Sequence, residues 1–177
     1  VAARAIRPDI ELIGVEAELY PSFINAGDGR NRPIGGPTLA EGIAVKTVGE
    51  LTLPVVCSRV ADIVPVSEEL IERAVSAYAS LHHTLAEGAG AAGLAAMLKE
   101  PARLLLSGGN IDTGLLAAVM VRELEREDRI VSLRLTSADR PGLLGKVASL
   151  LGKEGANILE VSHSRRFLDL PAKGVSI

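Results

Sequence analysis

The stretch "DIVPVSEELIERAVSAYASL", residues 62 to 81, decides the fold. Ile63, Val64 and Val66 give its first five residues the look of a short strand. Ser67 follows, then Glu68 and Glu69. A serine hydroxyl at that point can accept from an exposed amide of a helix start, and two carboxylates suit the positive end of the helix dipole. Leu70, Ile71, Ala74, Ala77, Tyr78 and Leu81 then recur at helical spacing, which predicts a helix with one buried face. A strand that passes through a single capping residue into an amphipathic helix opens an alternating strand and helix pattern.

The flanks extend that pattern. Upstream, "IELIGVEA" at 10 to 17 reads as a second short strand. Residues 21 to 38 are rich in proline and glycine and read as loop, "TLAEGIAVK" at 38 to 46 returns toward order, and residues 49 to 60 carry a weak helical pattern. Downstream, "EGAGAAGLAAMLKE" at 87 to 100 reads as a helix of very small residues, and "ARLLLS" at 102 to 107 as a strand. Asp112 then reads as the cap of a helix with Leu115, Leu116, Val119, Met120 and Leu124 on its buried side. Alternation over the first ~125 residues predicts an α/β domain, a parallel sheet with flanking helices. The charged run "EREDR" at 125 to 129 breaks it, so the domains are expected at 1–126 and 127–177. In the second, Val131, Leu133 and Leu135 alternate as in a strand, "DRPG" turns the chain, and Leu143, Leu144, Val147, Ala148, Leu150 and Leu151 make an amphipathic helix stopped by Gly155. "NILEVSHS" at 157 to 164 reads as the next strand, and "GVSI" at 174 to 177 as the start of a third. A β–α–β unit this small cannot bury a core alone.

Composition bounds the function. Lys and Arg number 19 against 22 Asp and Glu, a net charge of −3, so no basic footprint for nucleic acid exists. Aromatic residues are 2% of the chain and Trp is absent, which removes base-stacking platforms. No apolar run approaches the ~20 residues that span a bilayer, so no membrane partner is expected. A single cysteine, Cys57, excludes an internal disulfide and a multi-thiolate metal site, and suits a reducing cytoplasm. His82 and His83 have no partner at metal-ligand spacing and read as structural. The chain starts at Val1 without an initiator Met and stops inside an expected strand, so it reads as an internal piece of a longer protein.

Candidate chemistry gathers in the glycines. Ser107, Gly108 and Gly109 stand where the strand "RLLL" should end, and ligands of parallel sheets collect beyond the carboxyl ends of strands. Glycines there let backbone approach a ligand, or simply permit a tight turn into the next helix. No Gly-Lys-Ser/Thr follows, so this is not a P-loop. Glu87 in "EGAGAAG" and Glu41 in "TLAEG" are open to the same two readings, a binding cleft or a helix start and a solvated loop.

"TLAEGIAVK", "DIVPVSEELI", "EGAGAAGLAAML" and "LLLSGGNID", in this order and spacing, resemble the fold-type II pyridoxal-phosphate enzymes, and among them the threonine ammonia-lyases (threonine dehydratases). The resemblance implies pyridoxal 5'-phosphate as cofactor, with the hydroxyl of Ser107 on the ring nitrogen, Gly108 beside it, Glu87 near the ring and the Ala40–Gly42 loop, through Gly42, lining the cleft. A hydroxyl opposite the ring nitrogen leaves it unprotonated and the ring a weaker electron sink, sufficient for eliminating a β-hydroxyl. The substrate implied is L-threonine or L-serine, the product from threonine 2-oxobutanoate with ammonia. "LTSADRPGLLGKVASLLGKEGANILEVSHSR" at 135 to 165 resembles the first half of an ACT domain, a βαββαβ amino-acid-sensing module. That resemblance implies an amino-acid effector bound by Asp139, Arg140, Pro141, Gly142, Asn157 and Ile158, and a homo-oligomer. The fold expected is thus part of a fold-type II parallel sheet with flanking helices, followed by a truncated α+β ACT domain. Two elements of the resemblance are missing. The family's Schiff-base lysine, in a motif of the type Ser-Phe-Lys-x-Arg-Gly, has no counterpart, since Lys46, Lys99, Lys146 and Lys153 stand in other contexts, and no phosphate-binding glycine loop is found. The chain alone is therefore expected to be inactive. The alternatives are a non-catalytic amino-acid-binding module and a related serine dehydratase or racemase.

Overall fold

Cap chemistry and strand pairing build the first unit. The structure is a computed structural model that describes residues 1–98, 103–138, 140–163 and 174–176. Contacts divide it into two units, Val1–Arg129 and Ile130–Ile177. In the first, helix α1 (Ala2–Ile6) precedes strand β1 (Ile13–Ala17), helix α2 (Ser22–Asp28), a 3₁₀ turn (Glu41–Ile43), helix α3 (Thr52–Arg59), strand β2 (Asp62–Val66), and helices α4 (Glu68–Leu81), α5 (Gly88–Met97) and α6 (Thr113–Arg126). β1 and β2 pair in parallel, Ile13 opposite Asp62 through Ala17 opposite Val66. The Ser67 hydroxyl accepts from Leu70 N at 3.4 Å to start α4, and Asp112 Oδ1 accepts from Leu115 N at 2.9 Å to start α6.

The core lies where β2, α4, α5 and α6 meet. Val66, Ile71, Ala74 and Val75 are buried with Ala91, Ala92, Ala95 and Val119. α5 is small and apolar on all sides, as a helix enclosed by neighbours must be. Its size lets backbone approach it closely. α4 and α6 are also tied by charge: buried Glu72 pairs with Arg122 at 2.9 Å and with Arg126, and Glu123 pairs with Arg126 at 3.0 Å and Arg73 at 3.7 Å. Burial lowers the Arg126 pKa, but the hydrogen bonds and charges of Glu72 and Glu123 outweigh it and hold the group above its ordinary value.

Several sequence expectations change here. Residues 22–28 are helical, not loop. The Glu16 carboxylate of β1 accepts from Phe23 N at 2.7 Å and Ile24 N at 3.0 Å, so a cap from another element starts α2, and Gly29 at φ +67° ends it. The strand expected at 102–107 carries no ladder over 103–107, since no strand among the described residues lies beside it, and Leu105 is 87% exposed; Ala102 lies outside the described residues. Leu81, the last residue of α4, is exposed, and so is Leu115, whose neighbour Leu116 takes the place against the core.

The second unit holds strand β3 (Thr136–Ala138), helix α7 (Leu143–Lys153) and strand β4 (Gly174–Ser176). β3 and β4 pair antiparallel, Thr136 opposite Ser176. The helix falls where its apolar spacing predicts, between Gly142 at φ +81° and Gly155 at φ +80°. The strands do not. Pairing begins at Thr136, and Val131, Leu133 and Leu135 before it are exposed and have no strand partner among the described residues. Residues 157–163 likewise have no strand partner among the described residues; Ser164 and Ile177 lie outside them. Alternation marks a strand only when a neighbour supplies its hydrogen bonds.

Candidate functional site

Four glycine contacts assemble the site at the N-terminus of α5. A Cβ on Gly88 would lie 2.2 Å from the Leu39 carbonyl oxygen, and one on Gly90 1.5 Å from that of Ser107. Both are impossible distances, so only glycine lets the 38–42 loop and the 107–109 loop reach the helix from two sides. A Cβ on Gly108, itself at φ +72°, would lie 2.2 Å from Glu87 Oε1. Glu87 N donates to the Gly108 carbonyl at 3.1 Å, and a Cβ on Gly42 would stand 3.0 Å from Ala89 Cβ and 3.8 Å from Glu87 Oε1. Gly42, Glu87, Ser107 and Gly108 are therefore neighbours, although 65 positions separate Gly42 from Ser107.

The polar groups there are uncommitted. The Ser107 hydroxyl and the Glu87 carboxylate have no hydrogen-bond or ion-pair partner among the described residues, and Ser107 is exposed. Glycine backbone with an uncommitted hydroxyl and carboxylate beside it at a helix N-terminus is an arrangement that could meet the edge of a flat, polar-edged ring. Lys46 is exposed, Lys146 and Lys153 lie on α7 in the second unit, and Lys99 is outside the described residues.

One part of this arrangement was invisible in sequence. Thr38 Oγ1 donates to Glu68 Oε1 at 2.6 Å, and Leu39 N donates to Glu68 Oε2 at 2.8 Å. The serine and two glutamates at 67–69 read as a helix start, and no spacing rule connects them to a loop 30 residues upstream. His82 packs its ring against Tyr78 with centroids 5.9 Å apart, and burial pushes the Tyr78 phenol up from its ordinary pKa.

In the second unit Arg140, Pro141 and Gly142 form the exposed turn before α7, with Leu143 N donating to Arg140 O at 3.2 Å. Asn157 and Ile158 are exposed beyond the helix, and no hydrogen bond joins them to that turn among the described residues. Asp139 lies outside the described residues. Among the described residues no helix is long and apolar enough to cross a membrane.

Comparison with known proteins follows the same division. A family model described as pyridoxal-phosphate dependent enzyme matches residues 1–131, and one described as ACT domain matches 131–174. The L-threonine ammonia-lyase of Thermotoga maritima is 37% identical over 97% of this chain and 45% of its own length. A crystal structure of a threonine deaminase from T.th. matches with a TM-score of 0.56 and 35% identity, over 63% of this chain and 39% of that one. Maize serine racemase matches with a TM-score of 0.57 and 28% identity, over 72% and 43%. The chain spans less than half the length of the curated relatives it matches.

Proposed function

This chain belongs to the family of pyridoxal-phosphate dependent enzymes, and from that membership we propose that it forms the C-terminal part of the catalytic region of a threonine ammonia-lyase, joined to part of an ACT regulatory domain. The reaction is deamination of L-threonine to 2-oxobutanoate and ammonia. The observation that carries the reading is the convergence of Gly42, Glu87, Ser107 and Gly108 at one helix start. When bound, the cofactor supplies the electron sink for loss of the substrate's β-hydroxyl. The chain's own residues orient the ring. Ser107 would offer its hydroxyl to the ring nitrogen, Glu87 would stand near the ring, and Gly42 and Gly108 would leave room for it. Soluble cytoplasmic location and homo-oligomeric assembly are part of the same proposal.

Amino-acid feedback acts through Asp139, Arg140, Pro141, Gly142, Asn157 and Ile158 of the ACT unit. The likeness to maize serine racemase makes L-serine the second substrate to test. The full-length protein, loaded with pyridoxal 5'-phosphate, is expected to release ammonia and 2-oxobutanoate from L-threonine, while the 177-residue chain alone releases neither. A full-length protein that leaves threonine untouched and racemises serine would replace this reading with the racemase one.

A further inference from the structure

The segment that leads into the Ala40–Gly42 loop is tied to α4, in addition to the bonds within the loop's own 3₁₀ turn. One carboxylate, Glu68, accepts the Thr38 hydroxyl on one oxygen, at 2.6 Å, and the Leu39 amide on the other, at 2.8 Å. The Thr38 hydroxyl in turn accepts from Ala40 N at 3.1 Å. Glu68 is the first residue of α4, where a carboxylate is usually explained by the helix dipole. That explanation asks only for negative charge in the first turn, which Glu69 also supplies. It does not account for both oxygens of Glu68 being directed at Thr38 and Leu39.

The loop held in this way presses on α5. Ala40 is fully buried, and a Cβ on Gly88 would lie 2.8 Å from Ala40 N. Two residues later Gly42 stands beside Ala89 and Glu87. The flanks are tied elsewhere: Tyr20 Oη donates to the Gly36 carbonyl at 2.9 Å, and the Ser22 hydroxyl donates to that of Val45. Glu68 is thus the tie from another element at Thr38 and Leu39, the residues that lead directly into Ala40–Gly42.

Resting on the reading that this cleft receives the cofactor ring, we propose that Glu68 is a positioning residue: its carboxylate locks Thr38–Ala40 against α5 and so sets the separation of Gly42 from Glu87. The two roles for Glu68 order its variants differently. Glu68→Asp keeps the charge at the helix start but is one methylene too short for the loop. Glu68→Gln loses the charge but keeps the length; its carbonyl still accepts from Leu39 N, and its amide can donate to the Thr38 hydroxyl. Positioning therefore ranks wild type above Gln, and Gln above Asp and Ala. A dipole role ranks Asp with wild type, and Gln with Ala.

The experiment uses the full-length protein and reads amide exchange at Leu39 and Ala40, absorbance of the bound cofactor, and kcat and KM. Exchange at both amides is expected to quicken about 10- to 100-fold in Asp and Ala and less than tenfold in Gln. Cofactor absorbance and kcat should change in the same order, with a smaller change in KM. Thr38→Val, which leaves α4 intact, should quicken exchange at Ala40 even if Glu68→Ala does not fold. Wild-type exchange in Glu68→Asp overturns the proposal. So does altered exchange with unchanged cofactor absorbance and kcat. The exchange and absorbance arms need no turnover, so a protein inactive on threonine and serine would refute the functional reading and leave these arms decisive for Glu68.

Discussion

Ser107 and Gly90 meet through backbone, and each can be perturbed alone. Removing the Ser107 hydroxyl leaves the loop path unchanged, because the carbonyl of Ser107, not its side chain, rests on Gly90. In the full-length protein Ser107→Ala is expected to retain cofactor and slow elimination by about 1–3 kcal/mol in the barrier, the scale for losing the partner of a polar group. Unchanged kcat with normal cofactor absorbance would reduce Ser107 to a turn residue. Gly90→Ala does the reverse. Its Cβ would fall 1.5 Å from the Ser107 oxygen, so helix and loop must separate. The expected loss is about 1–3 kcal/mol of stability, as in overpacked cores, with weaker cofactor binding. A variant that melts with wild type and binds cofactor normally would show that the contact yields freely.

Elements were legible from sequence where one stretch contained all the physics. Ser67 and Asp112 cap their helices as read, because a cap needs only a side chain three residues before the amide it accepts. Asp112→Ala is accordingly expected to cost about 0.5–2 kcal/mol, and Asp112→Asn much less, in thermal or denaturant unfolding; equal losses would point to charge rather than capping. What sequence could not reveal depended on partners distant in the chain. α2 was hidden because its cap is Glu16, on a strand. The strands expected at 102–107, 131–135 and 157–164 failed over their described residues, because apolar composition does not supply a pairing neighbour. Motif resemblance brought Gly42, Glu87, Ser107 and Gly108 together, whereas Glu68, although it lies in the stretch "DIVPVSEELI" that carries the same resemblance, read only as part of a helix start because its partners are about 30 residues upstream.

At the scale of the molecule, the two units pose separate questions, the proposed catalysis in one and the proposed sensing in the other. A ligand of the second unit can regulate only through unequal affinity for the enzyme's states. The turn before α7 offers backbone amides at a helix start, suited to a carboxylate. Gly142 sits there at φ +81°, with nothing within 4 Å of an added Cβ. Gly142→Trp would therefore both fill the space and strain the turn, while Gly142→Ala would impose the strain alone. Titrating isoleucine, valine and serine by calorimetry, the full-length protein is expected to lose effector binding with Trp and to keep most of it with Ala. If Trp responds as wild type does, the effector binds elsewhere. The unpaired run from Arg103 to Ser107 bears on how the isolated chain behaves in concentrated solution. Leu105 is 87% exposed in an apolar segment with one charge that pairs with no strand among the described residues, and such a segment can add strands from other molecules. Colloidal stability, rather than folding, should then limit the chain by itself. Light scattering should rise with concentration and fall in Leu105→Lys; scattering unaffected by that substitution would place the adhesive surface outside this run.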